Sequence, residues 1–205
     1  MPLQRYEKEE ILDACFAAFA QHGYEHTSTA LLAQTASVSK ALLFHHFGSK
    51  KELYLQVLDR LFERGKAEIS FDTPTQDMDF FEMHKRTSMA KIDYYTKHPD
   101  AYRLIQEAFF ATPDELKAEI EEKYGDLKTD RNEKLERMFE DVPLKPGVDR
   151  SLAFRLVMKV LEHVEEQYLR GLQSGKAMDE AYIRKLFQER SEFMNMIQYG
   201  IAASQ

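Results

Sequence analysis

Apolar residues recur at helical spacing along nearly the whole chain, and period-two alternation of β-branched residues is missing. The first stripe, Ile11, Leu12, Cys15, Phe16 and Phe19, predicts a helix over about Glu7 to Gln21, with Gly23 as its stop. A short helix is predicted over Ser28 to Gln34, then a tight turn at Ala36-Ser37-Val38, then another short helix over Ser39 to Phe47. Gly48 suits the end of that helix. Ser49-x-x-Glu52, followed at once by Leu53, has the form of a capping box, so a fourth helix starts there and reaches about Ile69.

The stretch Phe71 to Thr75 breaks the pattern and sets a boundary. Beyond it, helices are predicted over about 76–96, 100–111 and 113–140. Each of the first two is closed by a proline, Pro99 and Pro113. Pro143-Leu144-Lys145-Pro146-Gly147 is the clearest loop, and two long helices, about 149–173 and 179–201, end the sequence. The fold class is all-α, in three parts: a helix-turn-helix domain at 1–48, a connecting helix at 49–70, and a larger helical domain at 71–205.

The turn joining the two short helices gives the N-terminal part its meaning. In a helix-turn-helix, the second helix enters the major groove of DNA while the first crosses the backbone. Leu31, Val38, Leu43 and Phe47 are spaced to pack inward, which leaves Lys40, Leu42, Phe44, His45 and His46 pointing out. Net charge is −7, which by itself argues against a nucleic-acid partner. The distribution reverses that argument. From Thr27 to Lys51 the only charged residues are Lys40, Lys50 and Lys51, while the acids gather later, as in Glu119 to Glu122. A local cationic face on an acidic body still attracts phosphates.

The segment from Thr27 to Tyr54 resembles the DNA-binding domain of TetR-family transcriptional regulators. That family's pattern runs roughly T-x-x-x-I-A-x-x-A-G-V-S-x-G-x-L-Y-x-H-F-x-S-K-x-x-L. Matching residues include Thr29, Ala33, Ala36, Val38, Ser39, Leu43, His46, Phe47, Ser49, Lys50 and Leu53. Three positions depart from it: Ser37 and Ala41 stand where glycine is usual, and Phe44 where tyrosine is usual. A left-handed Ser37 would cost about 1 kcal/mol.

The resemblance implies a regulator of double-stranded DNA. By it, Lys40, Leu42, Phe44, His45 and His46 face bases or phosphates, and Lys50 meets a phosphate at a helix N-terminus. Thr27, Ser28 and Thr29 would offer hydroxyls to phosphates. It also implies a homodimer through the last two helices, burying residues such as Leu156, Val160, Tyr182, Leu186, Met194 and Ile197, and hence a palindromic operator. A small apolar or amphipathic effector would release the DNA, with Tyr94, Phe109, Phe110 and Tyr168 as candidate lining residues.

Other chemistry is sparse. The single cysteine, Cys15, sits in an apolar stripe and reads as a buried structural thiol. His45 and His46 point about 100° apart on a helix and cannot readily share a metal. His163 with Glu162 and Glu166 resembles half a helix-borne metal site but has no matching second half. We therefore expect no metal, no cofactor and no enzymatic activity. No apolar run approaches the ~20 residues of a membrane span, and residues 1–8 contain no signal segment, so a cytoplasmic protein is expected. The rival expectation is a helical small-molecule or lipid-binding protein that does not recognise an operator.

Overall fold

The computed structural model describes residues 5–69, 79–173 and 179–201. Among these the regular elements are helices: α1 (Arg5–His26), α2 (Thr29–Thr35), α3 (Lys40–Phe47), α4 (Lys50–Glu68), α5 (Phe80–Lys97), α6 (Pro99–Phe110), a 3-10 turn (Asp114–Leu116), α7 (Lys117–Glu140), α8 (Arg150–Gln173) and α9 (Glu180–Ile201). Predicted boundaries fall within a few residues of these. The largest difference in the N-terminal part is α1, which resumes beyond Gly23. That glycine sits at φ 75°, ψ 165°, so the axis kinks there and the helix continues to His26. The predicted connection Ser174-Gly175-Lys176 and the break at 71–75 lie outside the described residues.

The chain divides into two compact units. The first comprises the described residues up to Glu68 together with Asp100–Ile120, and the second Ile69–Pro99 with the residues from Glu121 onward. Residues 100–120 therefore cluster with the N-terminal helices, whereas the sequence-based division put them with the C-terminal ones.

Ile11, Cys15, Phe19, Leu32, Leu43, Phe47, Leu53 and Leu58 form the interior of the first unit, each under 5% exposed. Each such large side chain contributes roughly 1.5–3 kcal/mol of burial. At its centre Tyr54 meets both Phe19 and Tyr24 edge to face, 5.0 Å from each ring. Cys15 is fully buried, and burial pushes its thiol up to about 12. On the rim, Asp13 of α1 takes both Arg60 and Arg64 of α4 at 2.8–3.2 Å.

In the second unit α9 lies against α5 and α8. Phe80, Phe81, Phe139, Val142, Ala153, Val157, Met194 and Ile197 fill its core. Arg190 of α9 is buried and donates to Ser88 Oγ of α5 at 2.5 Å. Burial and the Arg190 charge push the nearby His84 down to about 3, so this imidazole is neutral. Leu186, Met194 and Ile197, expected at a subunit interface, are instead covered within their own chain, at 4%, 6% and 7% exposure. Their side of α9 is the side that meets α5 and α8.

Candidate nucleic-acid interface

The short helices of the candidate reading head are fixed by serine caps. Ser28 Oγ accepts from the Leu31 N–H and Ser39 Oγ from the Leu42 N–H, both at 3.1 Å. Between them Ser37 sits at φ 55°, the only left-handed non-glycine among the described residues. Its N–H donates to Gln34 O and the Val38 N–H to Ala33 O, which closes the turn between α2 and α3. At the start of α4 the capping box is present in full. Glu52 Oε2 accepts from the Ser49 N–H at 2.7 Å, and Ser49 Oγ accepts from the Glu52 N–H at 3.1 Å. Gly48, at φ 75°, makes the bend before it.

Packing then decides which side chains face out. Leu43 and Phe47 are buried, as their spacing predicts. On α2 the buried residues are Leu32 and Ala33, whereas Leu31 and Val38 are only half-buried. Lys40, Ala41 and His45 are exposed on α3, and Leu42, Phe44 and His46 are half-buried. The His45 and His46 rings meet edge to face at 4.9 Å, and His46 Nε2 is shielded from solvent.

Thr27 requires a correction. It is fully buried, and its hydroxyl donates to Gly23 O at 2.6 Å. It closes the kink of α1 and has no surface to offer a phosphate. Ser28 remains exposed beside it and Thr29 is partly so. Lys50 lies at the N-terminus of α4 with its Nζ 4.1 Å from the centre of the Tyr24 ring. Its neighbour Lys51 pairs with Glu119 at 2.5 Å. That bond holds the Glu119 carboxyl below the ordinary range.

The residue that ties this head to α6 was missed in the sequence. Glu107 Oε1 accepts from the Tyr24 N–H at 2.8 Å, and Oε2 accepts from the Tyr54 hydroxyl at 3.0 Å. Burial raises its carboxyl above the ordinary range, and the two hydrogen bonds only partly offset this. Tyr24 in turn donates its hydroxyl to Glu115. A lone acid within the apolar stripe of α6, between Leu104 and Ala108, was the available signal.

The proposed effector residues are divided between the two units. Tyr94 is buried in the second unit, against Tyr95 and His98 at 5.3 and 4.7 Å. Phe109 and Phe110 belong to the first unit, where Phe109 packs edge to face on Phe62 at 5.5 Å. The Tyr168 side chain lies outside the described residues. Among the described residues there is no group of three or more His, Cys, Asp or Glu that could hold a metal ion. No described helix is long and apolar enough to cross a membrane. His163 sits 3.6 Å from Glu189 and edge-on to Phe193.

Residues 11–57 match the family described as "Bacterial regulatory proteins, tetR family". A curated relative, the HTH-type transcriptional repressor AcnR of Corynebacterium efficiens, is 40% identical over 48 residues, covering 23% of this chain and 26% of its own. The HTH-type transcriptional activator FasR of Mycolicibacterium smegmatis is 30% identical over 113 residues, 54% of this chain and 50% of its own. The chain thus spans about a quarter of the length of the first curated relatives it matches. Whole-chain similarity appears in the fold. A TetR-like transcriptional regulator from Rhodococcus sp. RHA1 superposes with a TM-score of 0.69 at 16% identity, covering 98% of this chain and 100% of that one. A SmeT–triclosan complex superposes at 0.64 and 18% identity, covering 98% and 93%.

Proposed function

We propose, from the match of residues 11–57 to the tetR-family model, that the chain is a ligand-responsive transcriptional regulator of that family rather than an enzyme. In this reading α3 enters the major groove, with Lys40, Leu42, Phe44 and His45 toward the bases. Ser28, Thr29, His46 and Lys50 hold the backbone. The observation that carries it is the head itself: a capped helix-turn-helix in which residues 27–51 include three lysines and no acid, with Lys40 exposed at the start of α3.

The active species is a homodimer on a palindromic operator, its half-sites one or more turns of DNA apart, ~34 Å each. Two exposed apolar rows support the last two helices as the interface. Leu152 and Leu156 lie one turn apart on α8, at 58% and 48% exposure, and Met196 and Tyr199 on α9, at 64% and 79%. These replace Leu186, Met194 and Ile197 as the interface candidates. The effector is a small apolar or amphipathic molecule, a reading supported by the aromatic content and by the triclosan complex of SmeT. It acts by binding the DNA-free conformation more tightly. Tyr94 is the effector candidate in the second unit whose side chain is described. Such a protein works in the cytoplasm, where the operator is. Both repression and activation occur among the relatives named above.

The test is selection from a random DNA pool, followed by a salt titration of binding to the selected site. Lys50→Ala is expected to weaken binding and to lower the magnitude of the salt slope by about 1 per subunit. An unchanged slope would show that Lys50 does not meet a phosphate.

A further inference from the structure

The outward face of α3 is unusual in composition. The helix reads Lys40-Ala41-Leu42-Leu43-Phe44-His45-His46-Phe47. With Leu43 and Phe47 buried, Ala41 and His45 lie on the opposite side of the helix, and Leu42 lies about 60° from His45 on that side. Arg, Asn, Gln, Asp and Glu are all absent from this helix. Those are most of the side chains that read guanine, adenine and cytosine edges by paired hydrogen bonds. Base-edge hydrogen bonding by α3 therefore falls to Lys40, at its N-terminal end, and to His45.

Ala41 is exposed and Leu42 partly so, and apolar side chains turned to the major groove have one complementary feature there: the 5-methyl group of thymine. The setting fits a polyanion, since Lys40 and Lys50 flank the face and no acid lies between Thr27 and Lys51. Resting on the DNA-binding reading above, we infer that Ala41 and Leu42 read thymine methyl groups. Each operator half-site then carries thymines at the positions these residues face. Specificity comes from apolar contact with methyls, supplemented by Lys40 and His45 on base-edge acceptors.

The experiment changes the DNA first, so that folding is not in question. A site is selected from a random pool. Its half-site thymines are then replaced one at a time, and all together, by deoxyuridine, which lacks only the methyl. Burying one methyl-sized group corresponds to about fourfold in affinity, so four fully buried methyls across a dimer's two half-sites give about 250-fold. The expected result is that loss for the fully substituted site. Leu42→Ala, at a half-exposed position, is expected to bring the thymine/uracil ratio at one position per half-site within about twofold. Equal binding to the thymine and uracil sites overturns this inference alone, because DNA binding itself is intact. A full thymine preference in Leu42→Ala overturns the assignment to Leu42. A pool that yields no enriched sequence overturns the operator-binding reading and this inference with it.

Discussion

Gly23→Ala probes the joint between α1 and α6 most directly. At φ 75° and ψ 165° the backbone occupies a region that is essentially glycine-only. An alanine held there costs about 1–3 kcal/mol. The added Cβ would also stand 2.8 Å from Glu107 Oε1, the atom that accepts the Tyr24 N–H. That carboxylate cannot retreat without lengthening the bond. A hydrogen bond to a charged group contributes about 1.5–3 kcal/mol, so partial loss adds about 1.5 kcal/mol. The reduced backbone freedom of alanine in the unfolded chain returns about 0.4–1 kcal/mol. The net expectation is a loss of about 3 kcal/mol. Urea unfolding followed by far-UV circular dichroism reads this directly. With a slope of about 2 kcal/mol per molar, the midpoint falls by about 1.5 M at unchanged slope. Repeating the substitution in a Glu107→Ala background separates strain from collision. There only the backbone term remains, about 1–2 kcal/mol. A loss below about 1 kcal/mol, or the same loss in both backgrounds, would refute the reasoning.

Three further outcomes follow from the same geometry. Ser37→Gly relieves the left-handed turn at φ 55° and should raise stability by about 1 kcal/mol in the same urea assay. For Asp13, burial works to raise the carboxyl pKa, but the Arg60 and Arg64 hydrogen bonds outweigh it and hold the group below its ordinary 3.8. The unfolded chain therefore takes up the proton first as pH falls. The stabilisation is present above that ordinary value and is lost as pH drops through the lowered one. Asp13→Asn should cost under about 1 kcal/mol at neutral pH, because the Asp13 and Arg64 side chains are nearly half exposed, and the cost should vanish in acid. A cost that stays constant into acid would contradict the pairing. Leu156→Glu places a charge in the exposed row of α8 and should convert a dimer to a monomer in size-exclusion chromatography with light scattering, with helicity unchanged.

The sequence alone determined what depends on residues three or four apart. The caps Ser28, Ser39 and Ser49–Glu52 close within one helical turn, so helix starts and the helix-turn-helix were legible from residue type and spacing. The left-handed Ser37 was signalled only by the resemblance, since glycine is usual at that position in the family's pattern. What required the tertiary structure was the partner of each side chain across long separations. Thr27 has the type of a phosphate-contacting hydroxyl, yet the kink at Gly23 folds it into the interior. Glu107 is 83 residues from Tyr24, and no local rule joins an acid on α6 to the amide and hydroxyl it satisfies. Leu186, Met194 and Ile197 have the spacing of an interface stripe. An apolar stripe shows only that a helix face is covered, and packing against α5 and α8 decided that its own chain covers it. The reading surface lies between these cases. The residues of α3 and their spacing are local, but its outward face is defined by the burial of Leu43 and Phe47, which is a property of the folded unit.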